Sequence, residues 1–380
     1  MKPLCRWIAA ASLLFLACIA HAQTLTPPPI AAKAYVMVDL LSGQTLAAAA
    51  EEDRFEPGSL TKLMTAYVAF AAMRDGKLDP AATVTISERA AGAPGARMFA
   101  TARSSVTVED LLRGMIVQSA NDAAVALAEA TAGSEEAFVE RMNREAERLG
   151  LRGTHYANST GQPANGHYVT ARDVATLAAA LVRDFPDRYP LFAQKQFTFN
   201  RMTQSSRNRL LWTDPAVDGL QGSFTETSGY GLAASAQRGG RRLVSVLLGA
   251  QSDGLRIAET QKLLNFGFQA YDTRRVFKQG EPVATPRIYK GTQATIPLGF
   301  EHDIWLTLPR DRFAGISGLL QMRQPLVAPL AAGEKAGIMK VMRDNAALAE
   351  YPVVALEDVP VAGFLSRGWD TLKLLFQRKP

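Results

Sequence analysis

A serine and a lysine lie three residues apart near the start of the first strongly helical segment, at Ser59 and Lys62. Residues three apart on a helix share a face, so the lysine amine can reach the serine hydroxyl. A serine hydroxyl becomes a nucleophile when a neighbouring base removes its proton. Lysine can be that base only where burial or nearby positive charge lowers its pKa from about 10.4. The pair predicts acyl transfer through a serine ester; a helix-capping serine beside a surface lysine is the alternative.

A second polar group, Ser119 and Asn121, follows an apolar run and precedes another helical segment. These residue types also cap helix N-termini, so alone they indicate only where a helix starts. The order of the motifs is more informative. Ser-x-x-Lys, then Ser-x-Asn, then a glycine-rich strand is the arrangement of penicillin-binding proteins and class A β-lactamases.

Longer segments resemble one family, the low-molecular-mass penicillin-binding proteins that act as serine-type D-alanyl-D-alanine carboxypeptidases. The resemblance extends from about Ala34 to the C-terminus, and its segments are EPGSLTKLMT at 56–65, EDLLRGMIVQSANDA at 109–123, GHY at 166–168 and RNRLLW at 207–212. It implies an α+β fold. A penicillin-binding or β-lactamase-like transpeptidase domain, an antiparallel sheet with helices, would be followed by a small β-rich domain and a C-terminal amphipathic helix.

The same resemblance implies roles for individual residues. Ser59 would be the acylated nucleophile, Lys62 its general base, and Ser119 the relay that passes the proton to the leaving D-alanine. Backbone N–H groups of Ser59 and Phe224 would form the oxyanion hole. The implied substrate-binding residues are Asn121, which would hold an amide carbonyl of the substrate, Gln221, Phe224, Thr225, Arg207 and Arg256.

The third motif departs from the family pattern. The family has Asp-Gly-Leu-Lys-Thr-Gly-His-Thr, whereas residues 218–225 read DGLQGSFT. Gln221 therefore offers a neutral amide where the family has an ammonium. Losing that charge-assisted contact to the substrate carboxylate is expected to cost about 2–4 kcal/mol in transition-state stabilisation. It also removes a cation that would lower the pKa of Lys62, and Ser223 adds a side chain in place of a glycine.

Hydrophobic periodicity predicts the elements that position these residues. A hairpin is expected at 34–39 and 45–47, with later strands at 229–236 and 242–248. Helices are expected at 60–73, 108–115, 122–130, 135–149, 171–182 and 257–268. Short runs at 288–289, 294–296, 304–308, 337–341 and 351–356 predict a small β domain. The predicted domains are a catalytic domain at 30–270 and a β-rich domain at 276–358.

Composition excludes several classes of protein. The net charge of +6 comes from 42 basic and 36 acidic residues with no dense basic stripe, so no nucleic-acid partner is expected. The only cysteines are Cys5 and Cys18, which excludes a disulfide framework for the folded part. His155 and His167 are isolated from other metal-binding residue types, so we expect no metal and no cofactor.

The two ends of the chain predict its location. A positive start, an apolar run at 7–20 and a small-x-small exit indicate a secretory signal peptide at 1–22, cleaved after Ala22. Acylation of Cys18 and an uncleaved anchor are the alternatives. Residues 361–380 place Leu365, Trp369, Leu372 and Phe376 on one helical stripe within a basic segment. Such a helix lies in a membrane interface, or else packs on its own domain.

These features predict a periplasmic or otherwise extracytoplasmic enzyme on the outer face of the inner membrane. It would trim the terminal D-alanine from peptidoglycan pentapeptides through an acyl-enzyme, and β-lactam antibiotics would inhibit it. Its partners would be stem peptides and the membrane surface, with a homodimer left open. The main alternative is a catalytically impaired relative that binds stem peptides or regulates an active enzyme. A β-lactamase is a third alternative, which the β domain and terminal helix disfavour.

Overall fold

The computed structural model describes residues 25–377. The predicted signal peptide, its cleavage site after Ala22 and both cysteines lie outside this range. The described helices are α1 (Thr61–Arg74), α2 (Glu88–Ala91), α3 (Val108–Gln118), α4 (Asn121–Ala132), α5 (Glu135–Leu149), α6 (Ala171–Asp184), α7 (Leu210–Thr213), α8 (Asp253–Ala270) and α9 (Phe364–Gln377). The described strands are β1 (Ala34–Asp39), β2 (Thr45–Ala49), β3 (Thr83–Thr85), β4 (Ser105–Thr107), β5 (Gln196–Phe199), β6 (Met202–Ser205), β7 (Val217–Thr225), β8 (Gly229–Arg238), β9 (Arg241–Ala250), β10 (Tyr271–Phe277), β11 (Ile288–Tyr289), β12 (Leu298–Gly299), β13 (Ile304–Pro309), β14 (Ser317–Met322), β15 (Leu326–Val327), β16 (Lys335–Arg343) and β17 (Ala346–Ala355).

Five strands form an antiparallel sheet in the order β2-β1-β9-β8-β7, so β7 is an edge strand. Successive side chains on β1 point to opposite faces of this sheet. Val36 packs into the helical side, whereas Tyr35 and Met37 pack with α8 on the other face. The early hairpin and the late strands therefore meet in one sheet, which confirms the α+β prediction.

The helices on the first face enclose most of the core. On α1, 11 of the 14 residues are buried, so this helix is surrounded on all sides. The alanine-rich α4 is buried on nearly every side because its small side chains let neighbouring helices approach closely. The predicted helix at 135–149 is confirmed residue for residue, and the Ser134 hydroxyl caps it by accepting from the Ala137 N–H.

Contacts divide the chain into two units. The first unit consists of the described chain up to Phe277 together with Asp303–Arg312. The second unit contains Lys278–His302 and the residues from Phe313 onward. Residues 303–312 fall within the range predicted for the β-rich domain. They belong to the first unit because β13 pairs with β10 along its whole length.

The second unit is rich in β structure. Its largest sheet has the order β12-β17-β16-β14, and β11 pairs with β15 in parallel. The predicted strand at 294–296 is wrong: only a single bridge joins Thr295 to Arg287. Pro286 and Pro297 flank that bridge and lack the N–H groups that a longer ladder needs.

The last helix, α9, exposes aromatic side chains. Phe364 is 87% exposed and Trp369 is 65% exposed. The side chains of Leu365, Leu372 and Phe376, which complete the predicted stripe, lie outside the described part of the structure. Between residues 25 and 377, no helix combines the length and the apolar character needed to cross a bilayer.

Candidate active site

Ser59 lies in a short 3-10 turn that leads directly into α1. The turn approaches the edge strand β7 closely: a Cβ on Gly58 would lie 3.1 Å from Thr225 Cγ2 and 3.2 Å from the Phe224 carbonyl oxygen. The hairpin beyond β7 also holds the turn, because the Glu56 N–H donates to Ser228 Oγ at 2.9 Å. Ser59 is therefore held at the open edge of the sheet.

Lys62 lies three residues after Ser59, at the start of α1, and is only 2% exposed. Its Nζ is 3.5 Å from Ser59 Oγ and donates to the Thr160 carbonyl oxygen at 2.6 Å. Burial lowers the pKa of Lys62 to about 7, against an opposing effect of the Asp122 carboxylate, which raises it. A lysine with this pKa is partly neutral near neutral pH and can accept a proton from the serine.

The second motif joins α3 to α4. Ser119 ends α3 in the left-handed region, with φ 65°, a conformation that costs a serine free energy and is common at functional sites. Asn121 begins α4, and its Nδ2 donates to the Pro94 carbonyl oxygen at 2.5 Å. Asp122 accepts from the backbone N–H groups of Met98 and Ala100, so it anchors a neighbouring segment.

Gln221 brings the second and third motifs together. It is 2% exposed on β7, and its Nε2 donates to Ser119 Oγ at 3.0 Å. Because Ser119 Oγ accepts this bond, its own hydrogen can be donated elsewhere. The neutral amide thus makes a hydrogen bond to the second serine but brings no positive charge.

The next residues of the third motif are fitted to Arg256. A Cβ on Gly222 would lie 2.8 Å from Arg256 Nη1. The same Nη1 donates to the carbonyl oxygens of Ser223 and Gly231, at 2.8 and 3.0 Å, and Nη2 pairs with Asp253 at 2.5 Å. Nη1 of this 7%-exposed arginine therefore links β7 to β8, while Nη2 holds the start of α8.

Phe224 and Thr225 end the strand in different ways. The Phe224 side chain is 52% exposed, and its ring lies 4.5 Å, centroid to centroid, from that of Tyr230. The Thr225 hydroxyl is buried and accepts from the Ser228 N–H at 2.9 Å. Phe224 thus presents an aromatic surface to solvent, whereas Thr225 holds the hairpin turn.

A cleft of about 740 Å³ lies in front of Ser59. Ser59, Ser119, Phe224, Arg207 and Arg256 all contribute to its wall. With the Gln118 amide oriented to satisfy both neighbours, its oxygen accepts from Arg207 Nη2 at 3.1 Å. The cleft therefore joins the paired serines to a guanidinium group, an arrangement suited to a peptide that ends in a carboxylate.

Sequence reasoning missed the acceptor of the Lys62 hydrogen bond. The Thr160 carbonyl belongs to the backbone, which carries no residue-specific signal. The only sign in the sequence is a run of turn-forming residues, Asn158 to Gly161. Gly161 has φ +90°, and a Cβ there would lie 1.8 Å from the Gly58 carbonyl oxygen, so only glycine fits against the nucleophile turn.

The chain matches two known family models. A family model described as D-alanyl-D-alanine carboxypeptidase matches residues 21–252. The chain belongs to the D-alanyl-D-alanine carboxypeptidase family. A second model, described as penicillin-binding protein 5, C-terminal domain, matches residues 271–361. The protein is thus a serine carboxypeptidase with the appended β-rich domain.

Individual relatives agree with this assignment. The chain is 37% identical to D-alanyl-D-alanine carboxypeptidase DacC of Escherichia coli K12 over 389 residues, covering 99% of this chain and 97% of that one. The crystal structure of penicillin binding protein 5 from Haemophilus influenzae matches with a TM-score of 0.86 at 36% identity, covering 88% of this chain and 99% of that chain. Penicillin-binding protein D2 from Listeria monocytogenes, in its ampicillin-bound form, matches with a TM-score of 0.59 at 26% identity, covering 64% of this chain and 100% of that chain.

Proposed function

We propose that this carboxypeptidase removes the terminal D-alanine of peptidoglycan pentapeptides through an ester on Ser59. The observation that carries the proposal is the buried Lys62, whose Nζ lies 3.5 Å from Ser59 Oγ and whose pKa burial lowers to about 7. Ser59 Oγ attacks the carbonyl carbon of the penultimate D-alanine, and Lys62 Nζ accepts the serine proton. Backbone N–H groups of Ser59 and Phe224 stabilise the oxyanion.

Collapse of the tetrahedral intermediate breaks the bond to the terminal D-alanine. Ser119 relays a proton to the leaving amine, and Gln221 orients Ser119 through their 3.0 Å hydrogen bond. Water then attacks the ester, with Lys62 again accepting the proton, and the tetrapeptide leaves. One hydrogen of Asn121 Nδ2 is donated to the Pro94 carbonyl oxygen. The other has no acceptor among residues 25–377 and would hold a substrate carbonyl.

The substrate carboxylate is proposed to meet Arg207, not the third motif. Gln221 is neutral, and Arg256 Nη1 and Nη2 bind within the protein. The Arg207 guanidinium, in contrast, lines the cleft and, among the described residues, donates only to Gln118. The exposed ring of Phe224 and the half-buried ring of Tyr230 border the same cleft. Thr225 contributes to substrate binding indirectly, by fixing the turn that follows Phe224.

The proposed location is the periplasmic face of the inner membrane. The signal peptide predicted at 1–22 would export the chain, and α9 would lie in the membrane interface. The exposure of Phe364 and Trp369 supports this placement, because large apolar side chains at a helix surface favour an apolar environment. β-Lactam inhibition is proposed from the ampicillin-bound relative.

Labelling with a fluorescent penicillin tests the proposal. The wild type is expected to form a covalent adduct and Ser59→Ala is expected to form none. Equal labelling of both proteins would refute the role of Ser59. The neutral Gln221 favours one competing function, a stem-peptide-binding protein without turnover. Labelling without D-alanine release from a pentapeptide would support that competitor.

A further inference from the structure

The carbonyl that accepts from Lys62 lies in a tight loop at residues 158–162. Asn158 Oδ1 accepts from the N–H groups of Thr160 and Gly161 at 3.2 and 2.7 Å. Asn158 Nδ2 donates to the Gln162 carbonyl oxygen at 2.8 Å. These hydrogen bonds couple the residues of the loop to one another. A displacement of Ser159 would therefore also displace the Thr160 carbonyl.

A buried carboxylate holds this loop from outside. Glu135 Oε1 accepts from both the N–H and the hydroxyl of Ser159, at 3.0 and 2.6 Å. Glu135 Oε2 pairs with Arg89 Nη2 at 2.6 Å. Glu135 is 7% exposed and Ser159 is fully buried. Water has no ready access to replace these hydrogen bonds, so losing them would leave buried donors unsatisfied. From the opposite side, Thr65 Oγ1 on the lysine-bearing helix α1 donates to the Ser159 carbonyl oxygen at 2.7 Å.

We propose that Glu135 is a positioning residue for Lys62: it fixes Ser159, and through the loop it sets the Thr160 carbonyl that orients the lysine amine toward Ser59. This inference rests on the proposed role of Lys62 as the general base. Glu135 touches neither Lys62 nor the cleft wall and acts through two intervening residues.

Removal of the Glu135 carboxylate has a directed consequence. The N–H and hydroxyl of Ser159 would lose their acceptor in a buried place, and the loop would shift to regain hydrogen bonds. A shifted loop admits water to Lys62, and hydration favours its protonated form. Among the described residues, the Asp122 carboxylate on α4 raises the pKa of Lys62. His167 Nε2 lies 3.0 Å from Thr61 Oγ1, on the residue before Lys62. Neither group is hydrogen-bonded to Ser159 in the described chain. A change at Glu135 therefore leaves the contacts of both groups intact.

The test compares Glu135→Ala with the conservative Glu135→Gln. Gln can still accept from Ser159, and the half-exposed Arg89 can turn to solvent. Acylation by fluorescent penicillin is measured against pH, and the Lys62 pKa is followed by NMR in protein labelled with ¹³C-lysine, assigned with Lys62→Arg. Glu135→Ala should acylate roughly 10- to 100-fold more slowly near neutral pH, the scale for a misplaced catalytic group, with both midpoints at higher pH. Glu135→Gln should stay within roughly 3-fold of wild type because the acceptor is kept.

A matched control is Asp173→Asn. Asp173 is also a buried carboxylate, 6% exposed, that binds a loop, through Gly153 N–H and Thr154 Oγ1 at 2.8 and 2.7 Å. It is not in contact with the 158–162 loop by any hydrogen bond of the described chain, so its variant should keep both midpoints. If Glu135→Ala fails to fold, Ser159→Ala, which removes only the hydroxyl, must shift both midpoints in the same direction by less.

The outcomes separate this inference from the proposed function. A Lys62 midpoint that moves in Glu135→Ala while no protein is acylated would support the positioning of Lys62 by Glu135 and refute the proposed ester on Ser59. Normal wild-type acylation with unchanged midpoints in folded Glu135→Ala, or in Ser159→Ala, would overturn the positioning role alone.

Discussion

Replacing Gln221 by lysine places in the third motif the cation that the family pattern has there. Its effect on the rate of D-alanine release can be measured. The Gln221 amide is buried and donates to Ser119 Oγ at 3.0 Å. An ammonium that reaches the same oxygen converts a neutral hydrogen bond, worth about 0.5–1.5 kcal/mol net, into a charged one worth about 1.5–3 kcal/mol. Applied to the transition state, in which Ser119 passes on its proton and gains negative charge, the difference of about 1–1.5 kcal/mol predicts a roughly 5- to 13-fold faster release of D-alanine.

The same substitution should move the pH profile. In the proposed mechanism the active form has neutral Lys62, so the rate should rise with pH through the Lys62 pKa of about 7. A second ammonium nearby disfavours protonation of Lys62 and lowers its pKa. Gln221→Lys should therefore shift the acid limb to lower pH. Gln221→Glu, the matched control of opposite charge, should shift it to higher pH and slow the reaction.

The assay is D-alanine release from a pentapeptide, compared with the same peptide amidated at its C-terminus. The gain from Gln221→Lys should be larger on the free-carboxylate peptide, because the charge of the new lysine attracts that carboxylate in addition to strengthening the bond to Ser119. Restoring the whole family triplet, with Gly222→Thr and Ser223→Gly, should gain less than the single change. A Cβ at position 222 would lie 2.8 Å from Arg256 Nη1 and displace that arginine.

One pattern of results would exclude an effect of charge at position 221. If neither Gln221→Lys nor Gln221→Glu changes the rate or the acid limb, charge at position 221 does not act on Lys62 or on the substrate. Arg207 would then carry carboxylate recognition unaided.

Further predictions concern other parts of the molecule. Truncation after Pro360 should release the mature protein from membranes, as judged by fractionation; continued sedimentation would favour acylation at Cys18 or an uncleaved signal. Gly161→Ala should strongly impair folding or penicillin labelling, because its Cβ would overlap the Gly58 carbonyl oxygen at 1.8 Å; normal labelling at an unchanged melting temperature would contradict this. Arg207→Ala should raise the KM for the free-carboxylate peptide by roughly 10-fold or more, the scale of a lost charged hydrogen bond, and should leave the amidated peptide unaffected.

Local sequence patterns predicted a helix or strand accurately where the sequence carries a signal for both its start and its end. Helix α5 begins after a Ser134 cap and ends at Gly150, which has φ +75°, and its prediction is confirmed. The helical stripe at 60–73 also predicted a helix, but a stripe implies a single buried face. The structure buries α1 on all sides, Lys62 included, because strand β7 and four helices contact it. Burial of this kind depends on tertiary packing, which periodicity does not report.

The motifs of the site could be placed from sequence, but their supports could not. Ser59, Lys62 and Ser119 carry recognisable side chains at recognisable spacings. The acceptor of Lys62 is a backbone carbonyl 98 residues away, and Glu135 reads in the sequence as an ordinary first-turn residue of a helix. Gly222 likewise looked like a loss of the family threonine, whereas the structure shows an arginine packed against its bare backbone.

The path of the chain limits how such a protein can be recombined with its relatives. Because the chain leaves the first unit at Phe277 and returns for Asp303–Arg312, a single crossover at residue 277 would give β10 a foreign β13. The incoming strand would have to reproduce the pairing of Thr307 with Thr273 and Ser42, at 2.9 and 2.6 Å. Exchange of the C-terminal module by gene fusion therefore requires two further junctions, around residues 303 and 312, so that the native β13 is retained.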